Sequence, residues 1–269
     1  WTDISGCALH RYALEQRQLH SWATPERLGC FAFIEGDTRL LAAFASGFAL
    51  YDPDSGRLQW LDRCEPAGSG RRFNDGRVDR QGRFWAGTMV EDATRAGPYS
   101  ASLYCLGADG RAQQRESGIG IANGLCWSPD GRTMYFADSP RHTIYAYDFD
   151  PDSGSIGRRR QFAGTAPGVE PDGSCVDAEG GVWNAQWGAG RVLRYAPDGR
   201  VLETLETPGA LQPTCVAFAG PALDLLCVTS ARVGLSPAAL AAQAHAGDVF
   251  VYRTGTCGLR ESRARWPAA

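Results

Sequence analysis

The sequence predicts an all-β fold, a six-bladed β-propeller spanning 1–269 as one domain, with the first blade incomplete at its N-terminus. Three observations predict it. Short apolar runs alternate with turn dipeptides along the whole chain, which carries 33 Gly and 15 Pro. Helical periodicity is nearly absent. One strand–turn–strand unit recurs at a spacing of roughly 40 to 50 residues, the length of a four-stranded propeller blade.

The opening WTDISGCALHRY (1–12) supplies the end of one strand and its partner, so the first blade starts part-way through. The second copy is LLAAFAS (40–46) followed by FALYDPDSG (48–56). The third is RFWAGTM (83–89) with SLYCLGADG (102–110). The fourth and clearest is TMYFADS (133–139) with TIYAYDFDPDSG (143–154). The fifth is GVWNAQWG (181–188) with RVLRYAPDG (191–199), and the sixth is DLLCVTSA (224–231) with DVFVYRTG (248–255). Only 236–245 (SPAALAAQAH) reads as helix, with Ser at the cap and Pro in the first turn. One or both of the long loops 90–100 and 232–247 are expected to cover a site. Ring closure places the segment near 260–265 close to blade one.

Composition narrows the function. Lys and Arg total 27 against 30 Asp and Glu, a net charge of −3, and a mildly acidic chain lacks the basic face that a nucleic-acid binder needs. Hydrophobic residues make up 43% and aromatic residues 10%, enough to bury a core. The longest apolar run falls far short of the roughly 20 residues of a membrane span. Nine cysteines without C-x-x-C spacing argue for reduced, buried thiols in a cytoplasmic protein and against a zinc knuckle. The chain begins at Trp1 rather than Met, so export stays open.

The phase of the repeat points to a site. Inner strands of a propeller run along one channel, so their starts gather at one mouth. Aligned on that start, blade three reads Asn74-Asp75-Gly, blade four Asn123-Gly-Leu-Cys, blade five Asp172-Gly-Ser-Cys and blade six Gln212-Pro-Thr-Cys. Asn74, Asp75, Asn123 and Asp172 should therefore ring one channel mouth. Carboxylate and amide oxygens suit a hard divalent cation. Asn-Gly and Asp-Gly are also the commonest hairpin turns, because these residues tolerate positive φ. Asp109-Gly110, Asp130-Gly131 and Asp198-Gly199 read as such turns, whereas the site set precedes inner strands. The in-phase Cys30, Cys126, Cys175 and Cys215 read as small buried side chains packed between blades.

On these residues the sequence resembles the family of senescence marker protein 30 (regucalcin), gluconolactonases and related sugar lactonases. The matching stretches are RFNDGRVD (72–79), GRFWAGTM (82–89), ANGLCWSPDG (122–131), ADS (137–139), PDGSCVDAEG (171–180), PTCVAF (213–218) and VTSA (228–231). The resemblance spans essentially the whole chain. It implies one divalent metal ion (Ca²⁺, Zn²⁺, Mg²⁺ or Mn²⁺) at the channel mouth and hydrolysis of the ester of a small sugar lactone. It places metal ligands on Asn123 and Asp172, and substrate contacts on Arg72 and Asn74. A further substrate-binding position, an acidic one on a loop, falls on Asp92, with Glu91 beside it. The third family ligand, a glutamate in G-E-x-P-x-W, is expected upstream of Trp1, together with the missing first strand.

Lactone hydrolysis passes through an oxyanion that a metal stabilises, and Asp172 is the expected general base toward water. No G-x-S-x-G elbow, H-E-x-x-H or P-loop competes with that chemistry. Two other classes stay open, a propeller arylesterase or phosphotriesterase and a non-catalytic Ca²⁺-binding propeller.

Overall fold

Short β-rich runs separated by Gly-containing turns build six antiparallel sheets in the computed structural model, which describes residues 1–267. The fold is a six-bladed β-propeller, with its blades divided between two compact units.

The first unit comprises 1–122 and the segment from 262 onward. Its first sheet is β1 (Thr2–Asp3), β2 (Ala8–Ala13) and β3 (Gln18–Ala23). This is the incomplete blade read from the sequence, and β1 is only two residues long. Blade two is β4 (Leu28–Phe33), β5 (Leu40–Phe44), β6 (Gly47–Asp52) and β7 (Arg57–Asp62). Blade three is β8 (Arg71–Val78), β9 (Phe84–Val90), β10 (Ala101–Leu106) and β11 (Ala112–Ile119), with a single helical turn, α1 (Ala93–Ala96), between β9 and β10.

The second unit is 123–261. Blade four is β12 (Ala122–Trp127), whose first residue belongs to the first unit, β13 (Thr133–Asp138), β14 (Thr143–Phe149) and β15 (Ile156–Gly164). Blade five is β16 (Glu170–Val176), β17 (Val182–Trp187), β18 (Arg191–Tyr195) and β19 (Val201–Glu206). Blade six is β20 (Pro213–Ala219), β21 (Leu225–Ser230) and β22 (Val249–Arg253), so among the described residues it has three strands rather than four. The helix read at 236–245 is α2 (Pro237–Ala242), capped by the Ser236 side chain on the Ala239 N–H.

The core lies between neighbouring sheets. In the first unit, Leu41, Phe48 and Leu50 of blade two pack with Phe73, Phe84 and Ala86 of blade three, and the Phe48 and Phe73 rings meet edge-on at 4.7 Å. In the second unit, Trp183 and Val192 of blade five pack with Val216, Leu226 and Val228 of blade six. Strands buried on both faces read as unbroken apolar runs, such as LLAAF in β5. The outermost β3 and β19 face water and read as polar.

Blades three and five each carry a buried carboxylate hub of their own at the turn between their first two strands. Asp79 Oδ1 accepts the N–H groups of Gln81 and Arg83, and its Oδ2 accepts Arg83 Nε (2.6 Å) and Trp85 Nε1 (3.0 Å). Asp177 repeats this with the N–H groups of Glu179 and Gly181 on one oxygen, and Trp183 Nε1 (2.9 Å) and Arg194 Nε (2.8 Å) on the other. Full satisfaction of both oxygens offsets the cost of burying the charge.

The segment near 260–265 does not lie where ring closure suggested. Ala264 is fully buried against blade two, donating to Phe33 O (2.7 Å) and accepting from Glu35 N–H (2.9 Å). Arg265 N–H donates to Gly82 O in blade three (2.8 Å). The small Ala264 side chain packs into the first unit's core beside β4.

Candidate functional site

In the inner strands β4, β8, β16 and β20, pairing to the second strand slips near its start. The slips fall between Leu28 and Cys30 in β4, Phe73 and Gly76 in β8, Pro171 and Ser174 in β16, and Pro213 and Cys215 in β20. Such bulges re-aim side chains away from the pleat. Asn74, Asp75 and Asp172 all sit within them, outside the regular alternation of their strands. Gly173 lets the bulge of β16 approach blade six, since a Cβ there would stand 2.6 Å from Cys215 Sγ. Cys215 thus packs against blade five, but it is half-buried, whereas Cys30, Cys126 and Cys175 are buried as their phase implied.

In the first unit, Arg72 and Asn74 form one cluster. Arg72 Nη1 donates to Asn74 Oδ1 and to Phe73 O, both at 2.9 Å. Asn74 Nδ2 donates to Ala122 O (3.1 Å), the residue before Asn123. Glu91 binds the cluster from the other side, accepting Arg72 Nε (2.8 Å) and a two-pronged contact from Arg27 (2.7 and 2.8 Å). Burial pushes the Glu91 carboxyl up, but the hydrogen bonds and charges of Arg27 and Arg72 outweigh it and hold it below its ordinary value. Asp92 turns elsewhere. Its Oδ1 caps α1 on the Thr94 N–H (3.0 Å), and its Oδ2 meets Arg95 Nε (3.2 Å). The Thr94 contacts hold its carboxyl below the usual range. Of the two adjacent acids, Glu91 is the one that meets Arg72. Asp75 is half-buried on β8.

In the second unit, Asn123 and Asp172 come together at the starts of β12 and β16. Asn123 is 6% exposed, and its Nδ2 donates to Ser139 Oγ (2.9 Å). Ser139 Oγ in turn donates to Pro171 O (2.8 Å), one residue before Asp172. Gly124 adopts φ +62°, and a Cβ there would lie 3.0 Å from Asp172 O, so glycine is needed for both conformation and proximity. Asp172 O also accepts Asn184 Nδ2 (2.7 Å), and Asp172 Oδ1 accepts the Gly173 N–H (2.9 Å). Behind it, Asn184 Nδ2 reaches Ser174 Oγ (2.9 Å) and Gln186 Nε2 donates to Asn184 Oδ1 (2.5 Å), all from buried side chains. Sequence phase singled out Asn123 and Asp172 but not Ser139, Asn184 or Gln186, which the structure places around them. Ser139 was visible only as the polar residue ending the ADS strand, and Asn184 and Gln186 only as polar interruptions in an apolar inner strand.

Each long loop leaves its blade at the end where that blade's inner strand starts. Val90 pairs with Arg71, so the 91–100 loop emerges beside Arg72. Ser230 pairs with Pro213, so the loop bearing α2 emerges at the start of β20, tied down where Gln243 Oε1 accepts the Leu211 N–H (2.8 Å).

The donor set of Asn123 and Asp172, one amide oxygen and one carboxylate, fits a hard divalent cation rather than a soft metal. Among the described residues, no three His, Cys, Asp or Glu side chains gather into a metal-binding group. Nor is any helix among them long and apolar enough to cross a membrane.

The model of the SMP-30/gluconolactonase/LRE-like region matches residues 1–232. L-arabinolactonase of Azospirillum brasilense is 41% identical over 265 residues, covering 98% of this chain and 86% of the relative. 6-Deoxy-6-sulfogluconolactonase of Pseudomonas putida is 38% identical, covering 97% of this chain and 88% of the relative. Among solved structures, a calcium-binding protein, regucalcin, from Agrobacterium tumefaciens superposes with a TM-score of 0.91 at 34% identity, covering 98% of this chain and 88% of that one.

Proposed function

This chain belongs to the SMP-30/gluconolactonase/LRE-like family, and we propose that it is an enzyme hydrolysing small sugar lactones with the help of one divalent cation held by Asn123 and Asp172. The observation that supports the reading is the buried hydrogen-bond chain from the Asn123 side-chain amide through Ser139 Oγ to Pro171 O, which holds Asn123 beside the backbone just before Asp172. A cation at that place would supply Lewis-acid polarisation of the ester carbonyl.

The residues of the chain do the rest. Asp172 accepts a proton from water at a carboxylate oxygen as that water adds to the carbonyl carbon. The ring C–O bond then breaks, and the proton returns to the departing ring oxygen, leaving a hydroxy acid. Arg72 and Asn74 donate hydrogen bonds to sugar hydroxyls and orient the ring; Glu91 fixes the Arg72 guanidinium for that task. Asp92 shapes the adjoining loop by capping α1 and offers its carboxylate at the loop's edge.

The test is turnover of a panel of aldonolactones, aryl esters and phosphotriesters with and without a chelator. Lactone hydrolysis that the chelator abolishes and that Ca²⁺, Zn²⁺, Mg²⁺ or Mn²⁺ restores is expected. Preference for aryl esters or phosphotriesters, or chelator-insensitive hydrolysis, would reject it.

A further inference from the structure

An asparagine amide has two unlike ends, and only its oxygen can hold a cation. The two ends have almost the same shape, so packing alone does not choose between them. At Asn123 the choice is made by a neighbour. Pro171 O is a backbone carbonyl and can only accept, so the single proton of the Ser139 hydroxyl is committed to it at 2.8 Å. Ser139 Oγ has only lone pairs left for Asn123, and the atom facing it at 2.9 Å must be the NH₂. The carbonyl oxygen Oδ1 is thereby turned to the other side of the amide.

We propose that Ser139 is a positioning residue that fixes the Asn123 amide in its cation-binding orientation; this deepens, and rests on, the reading of Asn123 and Asp172 as cation ligands. The same hydroxyl ties the backbone just before Asp172 to the Asn123 side chain, so one group sets both donors. Ser139 is held for this role. It is 2% exposed and opens a 3-10 turn, Ser139–Arg141, with Pro140 following it and an Asp138–Arg141 ion pair (2.9 Å) spanning the turn.

The experiment is calorimetric titration of the substrate-free protein with Ca²⁺, Zn²⁺, Mg²⁺ and Mn²⁺ separately, carried forward with the tightest binder. Ser139→Ala and Ser139→Gly are made in the wild type and in an Asn123→Asp background, with near-ultraviolet circular dichroism confirming the fold. In the wild-type background, loss of the hydroxyl should weaken cation affinity about 10–100-fold, as expected for a group behind a ligand. In the Asn123→Asp background the same change should cost far less, because a carboxylate has oxygen at both ends and no wrong orientation. Equal losses in the two backgrounds would reduce Ser139 to a structural residue, and no loss in the wild type would overturn the proposal outright. Failure of the wild type to bind any of the four cations would instead reject the ligand assignment, and the Ser139 role with it.

Discussion

Asp172 and Glu91 are both carboxylates near the ends of strands, yet their neighbours give them different work. Replacing Asp172 with Asn keeps its shape, the backbone contact to Asn184 and the bulge, but removes the negative charge and the proposed proton acceptor. Metal-dependent lactone turnover should fall by more than about 100-fold, beyond the usual cost of disturbing a group behind a ligand; an unchanged rate would remove Asp172 from the mechanism. Glu91→Gln should act on stability with a pH signature. Because Arg27 and Arg72 hold the Glu91 carboxyl below its ordinary 4.5, its stabilisation is complete at higher pH and disappears as pH falls through the lowered folded value. Thermal unfolding of wild type and Glu91→Gln should therefore differ above about pH 4.5 and converge in stronger acid. With side chains partly open to water, the gap should be about 1 kcal/mol or less. Thiols divide in the same manner. Burial pushes Cys64 and Cys105 up to about 12, whereas Cys257 is exposed, so a thiol reagent in native protein should modify Cys257 well before Cys64 or Cys105. Labelling followed by mass spectrometry checks this.

At the scale of strands and turns, the Asp177 hub makes a sharp prediction. Asp177→Ala leaves Arg194 and Trp183 Nε1 without their buried acceptor and should cost about 3–5 kcal/mol in denaturant unfolding. Asp198→Ala, which removes a single contact to the Arg200 N–H in an exposed turn, should cost about 1 kcal/mol or less. The pattern of the strands was legible because blade interiors demand unbroken apolar runs and outer strands do not, and the Ala-rich α2 was legible from its serine cap. The bulges were not, since a slip in register belongs to two strands and only one is visible in any stretch of sequence. The same reason hid the division of labour between Glu91 and Asp92. Both follow β9, and only the place where α1 begins turns one toward Arg72 and the other onto the helix cap. Phase alone brought Asn123 and Asp172 forward. Ser139 became meaningful only once its two partners, 16 and 32 residues away, stood beside it.

For the chain as a whole, the order of residues and the grouping of residues disagree. The first unit takes 1–122 and then the segment from 262 onward, with all of 123–261 between them. Ala264 is buried in that first unit's core and makes two backbone hydrogen bonds, to Phe33 at the end of β4 and to Glu35 just past it. Shortening the chain after Glu261 should lower the calorimetric unfolding temperature of the protein, since those contacts and the covered core surface are lost together. An unchanged temperature would mean that the segment adds nothing to the unit. The arrangement also bears on synthesis. A ribosome delivers residues in sequence, at about 5–20 per second, and early domains ordinarily finish folding before later ones emerge. Here the opening three blades must wait, with the seam beside Phe33 uncovered, until the entire second unit has left the exit tunnel. Nascent chains arrested before residue 262 are thus expected to present that seam to chaperones and proteases, and chains arrested beyond Arg265, with the tunnel cleared, to hide it.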